Sequence, residues 1–403
     1  MPDPASSAVT APSNERAPAR ARLDGVDLLR GTVMVLMALD HVRDYFSNPF
    51  AISATDLTKT NAPLFLTRWI THFCAPVFVL LAGTAAYLQA TRGKEPAEIA
   101  RRLFTRGLWL ILLDLTVVRI LWTFEPTYRM TWAGVIWAIG WGMIVLAALV
   151  RARVTPLAAG AAGVAMIAAH NLLDGLSADH FGSMAWLWAF VHDPRPLTIT
   201  PGHVVLPLYS LVPWVGVLLA GYGFGAALGG EPAVRRARLL SLGAGLTAAF
   251  VALRATNLYG DPSPWAVQES ALFTVFSFVN CQKYPPSLLF LLMTLGPAIL
   301  LLGWLEGKDL ARARPLVVFG RVPLFYYLVH LLVIHLGACV AQYARYGAVF
   351  PEYGPEAGLP ADYGFGLPII HAVWIAVVVL LYPACRWFEG VKRRRREAWL
   401  SYL

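Results

Sequence analysis

The sequence predicts an all-α, polytopic membrane protein of about ten transmembrane helices with both termini cytoplasmic, and three observations lead there. Hydrophobic residues make up 57% of the 403 and charged residues only 14%, a balance unlike that of water-soluble domains. Apolar runs of roughly 18 residues or more recur along the chain, each long enough to cross a ~30 Å hydrocarbon core as a helix. Lys and Arg cluster between alternate runs, the asymmetry expected when basic loops stay on the inner side.

The opening stretch 1–22 is rich in Ala, Pro, Ser and Arg and lacks the apolar core of a secretory signal, so it reads as a disordered cytosolic tail. A membrane domain then covers 23–390, and a basic cytosolic tail covers 391–403. Spans are expected near 24–46, 63–90, 102–122, 131–150, 155–173, 203–228, 237–257, 284–305, 315–343 and 366–388. The connection after the second span carries Arg92, Lys94, Arg101, Arg102 and Arg106, whereas outer connections carry isolated bases such as Lys59 or Arg129. An odd number of spans would destroy that alternation. The net charge of +9 therefore reads as topology, and no nucleic-acid partner is expected. The run Lys392 to Arg396 reads as an orientation anchor beside membrane lipid. Among the outer stretches, WLWAF at 186–190 reads as a short interfacial helix. Cys74, Cys339 and Cys385 fall in apolar runs and Cys281 near a loop end, with no CxxC pair, so all four read as packing residues.

Chemistry is expected where ionisable residues interrupt apolar runs, because such groups are costly in lipid and face the protein interior. The first span is bracketed by Asp27 and Arg30 on the inner side and by Asp40, His41, Arg43 and Asp44 on the outer. Arg30 and His41 are eleven residues apart, almost three helical turns, so they share one face at a separation of roughly 16 Å. Asp27 and Arg30 are spaced to pair, and Asp40 or Asp44 could hold the imidazole of His41 in one tautomer. The second span places Arg68 and His72 one turn apart at the depth of His41, with Pro76 and Gly83 beyond them to kink or thin the helix. The ninth contains Arg321 near its inner end, then Tyr326, Tyr327 and His330, and His335 further out. His330 and His335 lie roughly 140° apart around the helix, so both cannot face one small site; His330 is favoured and His335 is assigned to packing.

Outer connections add His170, Asn171, Asp174, Asp179, His180, His192, Asp193, Glu269 and Lys283, most of which read as solvated. No HExxH, P-loop, GxSxG or CxxC is present, so zinc peptidase, ATPase and hydrolase readings lack their ligands or nucleophiles, and no metal is expected.

The segment LDGVDLLRGTVMVLMALDHVRDYF, followed by RWITHFCAPVFVLLAGTAAYL, resembles the bacterial membrane domain related to the catalytic domain of heparan-alpha-glucosaminide N-acetyltransferase. YSLVPWVGVLLAGYGFG at 209–225, KYPPSLLFLLMTLGP at 283–297 and FGRVPLFYYLVHLLVIH at 319–335 extend the resemblance over most of the membrane region. The spacing of Arg30 and His41 is also similar to the signature of the family-3 membrane acyltransferases that O-acetylate surface glycans. The resemblance implies a bacterial inner-membrane enzyme that moves an acyl group, in the simplest case acetyl, from cytosolic acetyl-CoA or another acyl-CoA to an extracytoplasmic glycan or lipid-linked acceptor. By that analogy Arg30 and Arg321 serve the donor phosphates, His41 or His72 is the base with Asp40 and Asp44 beside it, and Arg68, His330 and Tyr327 contact substrate. The first outer loop, 47–62, contains no histidine where the lysosomal enzyme places one, which leaves the acceptor open. The rival class is a transporter or exporter of a small polar solute, which would show paired broken helices in two repeats; none is legible. Haem ligation by these histidines is a third reading.

Overall fold

The computed structural model describes residues 24–48, 53–91, 95–350, 359–360, 362–395, 397 and 400; the expected tail at 1–22 lies outside them. Helix α1 (Asp24–Phe46) carries acidic residues in its first turn and Arg43 in its last, the arrangement that suits the helix dipole. The second run is α2 (Ala62–Thr71) and α3 (Cys74–Ala90), and Asn61 caps α2 by accepting from the amide of Leu64. The break at His72 follows from Pro76, which has no N–H to offer the carbonyl four residues back. The third run is α4 (Pro96–Leu113), a π-helical turn (Asp114–Val118) and α5 (Arg119–Thr123).

Strand β1 (Met130–Trp132) leads into α6 (Val135–Arg151), and α7 (Pro156–Ala169) ends in a 3₁₀ turn (His170–Leu173). The outer stretch that follows holds α8 (Ala185–Val191), where a short helix was expected, and the strands β2 (Leu197–Thr200) and β3 (His203–Leu206). β3 lies between β1, which it pairs in parallel, and β2, which it pairs antiparallel. The helix expected from 203 therefore begins later, at α9 (Leu211–Ala227). The β-branched pair Val204 and Val205 favours a strand, and Pro207 withholds the N–H that a helix there would need.

The remaining elements are α10 (Pro232–Thr256), α11 (Ala271–Val279), α12 (Leu288–Leu305), α13 (Arg314–Arg321), α14 (Pro323–Tyr346) and α15 (Leu367–Arg394). Pro323 at the start of α14 splits the ninth run into two helices, and α15 continues through Lys392 to Arg394.

Helix thus occupies all ten expected runs, and this is an all-α, polytopic membrane architecture. Among the described residues, six helical units are long and apolar enough to cross a membrane, and α6 and α9 are shorter apolar helices. Six helices, α2, α3, α12, α13, α14 and α15, pack on α1, while α4 pairs with α6, α7 with α9 and α10 with α12. The contact of α1 with α13 is backbone to backbone. A Cβ on Gly31 would stand 1.8 Å from the carbonyl oxygen of Leu316, and one on Gly320 would stand 1.8 Å from that of Asp27. Only glycine allows that approach, and it fixes the neighbouring Arg30 and Arg321 at the inner end of the bundle.

Candidate active site

α1 and α14 meet at two imidazoles. His41 Nδ1 lies 2.7 Å from His330 Nε2, and His330 Nδ1 lies 2.8 Å from the carbonyl oxygen of Tyr326 one turn back. The two ring planes are inclined by only 8° with centroids 4.9 Å apart, so the rings meet edge to edge, as a hydrogen bond between nitrogens requires. A carbonyl only accepts. His330 must therefore carry its proton on Nδ1, its Nε2 must accept, and His41 must donate from Nδ1. With both rings neutral, the lone pair of His41 is left on Nε2. Trp122 packs edge-on against the His41 ring at 4.7 Å, and Tyr326 lies nearly parallel to His330.

His41 lines a cavity of about 230 Å³ toward the outer end of α1, together with Met37, Asp40, Asp44, Thr71, Cys74, Asp114, Trp122, Lys283, Tyr284 and Tyr327. The carboxylates on α1 are engaged elsewhere than at His41. Both oxygens of Asp40 accept from Arg68 Nη1 at 2.6 Å, and Asp40 also accepts from Arg43 and Thr71. Asp44 pairs with Arg43. The expectation that Asp40 or Asp44 orients His41 is thus corrected: the oriented partner is His330, from a helix 289 residues away in sequence.

His72 is not brought to this cavity. It caps α2 at a kink, where its buried ring meets Phe290 edge-on at 5.3 Å, while its chain neighbours Thr71 and Cys74 face the cavity. His335 packs as expected, with Nδ1 2.8 Å from the carbonyl oxygen of Leu121 and its ring stacked on Phe124.

Asp114 and Tyr284 are cavity residues that the sequence pattern does not single out. Asp114 opens the π-helical turn, a distortion that often marks functional positions. Its Oδ2 accepts from the amide of Gly134 at 2.8 Å, and its buried Oδ1 has no hydrogen-bond partner among the described residues. Its signal was present as a lone carboxylate in the apolar run LWLILLDLTVV. Lys283, expected among the outer and mostly solvated groups, and Tyr284, expected at the start of the span 284–305, both lie in the loop before α12 and line this cavity. Burial alone would push the Tyr284 phenol up, but the charges of Lys283 and Arg68 outweigh it and hold the phenol below its ordinary value.

A second cavity, of about 420 Å³, lies on the inner side of the same helices. Arg30, Arg102, Arg106, Arg321 and Lys392 line it, with an apolar wall that includes Phe78, Leu110, Ile136 and Leu324. Arg30 bonds Asp27 and the carbonyl of Gly320, and Arg321 pairs with Asp24, Asp27 and Glu389. The expected pair of arginines is thus present, and Arg102, Arg106 and Lys392 add charge that the sequence reading did not assign to it.

The linings of the two cavities approach each other along four walls. Leu110 gives way to Asp114, Phe78 to Ala75, Leu324 to Tyr327 and Ile136 to Val135. Each step is four residues or fewer, about one helical turn and roughly 6 Å of rise at most.

The model of the heparan-alpha-glucosaminide N-acetyltransferase catalytic family matches residues 22–257. That stretch includes Arg30, His41, Arg68 and Asp114 but stops short of Lys283, Arg321 and His330. No curated protein matches the chain by sequence. Because the family match spans more than half of the chain, this multi-pass membrane protein belongs to the heparan-alpha-glucosaminide N-acetyltransferase catalytic family.

Proposed function

We propose that the chain is an acyl-CoA-dependent acetyltransferase that works across the bilayer, with ten membrane crossings and both termini cytoplasmic. The observation that carries this reading is the hydrogen-bonded line from His41 through His330 to the Tyr326 carbonyl, at the wall of a cavity one turn beyond a cationic one. The inner cavity receives the donor from the cytosol, where its five cations suit the phosphates of a CoA and its apolar wall suits the pantetheine arm. The thioester reaches the outer cavity, and the acceptor enters there from the outer side.

His41 Nε2 takes the proton from an acceptor hydroxyl or amine as that atom attacks the thioester carbonyl. His330 accepts the hydrogen bond from Nδ1 and keeps the ring in the competent tautomer. The tetrahedral oxyanion forms on the side of Lys283 and Tyr284, which supply an ammonium and an acidified phenol. Collapse breaks the carbon–sulfur bond, and the departing thiolate takes the proton back from His41. The acceptor is a glycan or lipid-linked glycan of the cell envelope, and the protein resides in the bacterial inner membrane.

The test is transfer of label from radiolabelled acetyl-CoA to crude envelope glycan and lipid fractions by the purified protein. Adjoining cavities would also serve a carrier of small polar solutes. Proteoliposomes that move solute, from protein that neither binds nor consumes acetyl-CoA, would establish that second reading instead.

A further inference from the structure

Outside the outer cavity, the end of α7 carries a cluster that the proposed chemistry does not use. His170 opens the 3₁₀ turn after α7, Asp174 follows that turn, and His192 caps the end of α8. One donor atom from each lies within 4.8 Å of the others, and His192 Nε2 is already 3.0 Å from Asp174 Oδ1. The imidazoles, expected to be solvated, are 1% and 2% exposed. Among the described residues neither ring nitrogen of His170 has a well-aligned hydrogen-bond partner, and the backbone carbonyl of Pro286 is an acceptor beside the ring, which leaves the other nitrogen for a ligand. Leaving buried donors and acceptors unmatched is costly, and a ligand removes that cost.

We infer that His170, His192 and Asp174 form a binding site for one divalent cation of the zinc class on the outer side of the protein. Two neutral imidazoles and one carboxylate make a borderline donor set that suits zinc, whereas calcium and magnesium prefer oxygen alone. Ligand bonds of about 2.0–2.1 Å bring tetrahedral donors to roughly 3.4 Å from one another. The His192–Asp174 pair already stands near that separation, and rotation of the His170 side chain closes the remainder. The second shell is built: Asn171 donates to Asp174 Oδ2 at 2.8 Å, which leaves Oδ1 for the ion. Asn171 in turn accepts from the amide of Leu288 at the start of α12, beside the loop that carries Lys283 and Tyr284. The cation joins the ends of α7 and α8 and braces that loop, with its fourth position left to solvent.

The test uses the full chain without a histidine tag, stripped with a chelator, dialysed and titrated calorimetrically with Zn²⁺. One equivalent is expected, with a rise in melting temperature. X-ray absorption at the zinc edge of the wild-type protein should show a two-imidazole shell, a readout that needs no variant to fold. Asp174→Asn and His192→Gln should each lose the equivalent and the thermal shift, while His180→Gln and His203→Gln, at exposed outer histidines, retain both. A wild-type protein that binds no zinc, a shell with sulfur or fewer than two imidazoles, or an equivalent that survives either Asp174→Asn or His192→Gln would overturn the proposal.

Discussion

His41 and His330 meet through Nδ1 and Nε2 at 2.7 Å, and the carbonyl of Tyr326 beyond them fixes the direction of every proton in the line. Replacing His330 with Ala frees the His41 ring to adopt either tautomer without removing the base. The expected result is a fall in kcat of about 10- to 100-fold, a fraction of the usual contribution of a general base, with the KM for acetyl-CoA unchanged. Steady-state kinetics of label transfer would measure both constants; a changed KM with intact kcat would assign His330 to donor binding instead.

The cations of the inner cavity should act on donor affinity and leave the chemical step alone. Arg102→Ala and Arg106→Ala are each expected to raise the KM for acetyl-CoA by roughly 5- to 50-fold with little change in kcat, as the loss of one charge-assisted phosphate contact implies. Raising the ionic strength should weaken wild-type donor binding in the same direction. Equilibrium binding of acetyl-CoA to the detergent-solubilised protein reads both effects.

Asp114 turns one carboxylate oxygen to the amide of Gly134 and holds the other at the outer cavity wall. Asp114→Asn is expected to lower kcat/KM for the acceptor about 10-fold, the worth of one lost hydrogen bond. Donor binding should not change. Equal loss in the donor and acceptor constants would point to a collapsed site.

The glycine contact between α1 and α13 makes a prediction about stability. Gly320→Val forces a side chain into the space of the Asp27 carbonyl and should cost about 3 kcal/mol or prevent assembly, read as a lowered melting temperature or lost monodisperse protein in detergent. Gly245, whose Cβ would meet nothing within 4 Å, is the matched control, and Gly245→Ala should be silent.

Much of this architecture is legible in the sequence because apolar run length and charge placement report directly on helices in lipid. His41, Arg30 and Arg321 could be singled out because each interrupts such a run, and helical periodicity alone separates His330 from His335. Periodicity carries no information about which helices touch. The partner of His41 was therefore sought among its chain neighbours Asp40 and Asp44, although those carboxylates are held by Arg43 and Arg68. His72 shares the depth of His41, but the kink before Pro76 turns it toward Phe290. Lys283, Tyr284, His170 and His192 lie in or at the edge of outer connections, where sequence pattern cannot tell a solvated loop from one folded back against the bundle.

His41 is the proposed base for acetyl transfer. The most direct measurement is transfer from radiolabelled acetyl-CoA to the envelope fraction by purified wild-type protein and by His41→Ala, with donor binding measured on the same samples. Transfer should fall at least about 100-fold in His41→Ala, with donor affinity retained within a few-fold. Transfer at the wild-type rate by His41→Ala would contradict that role.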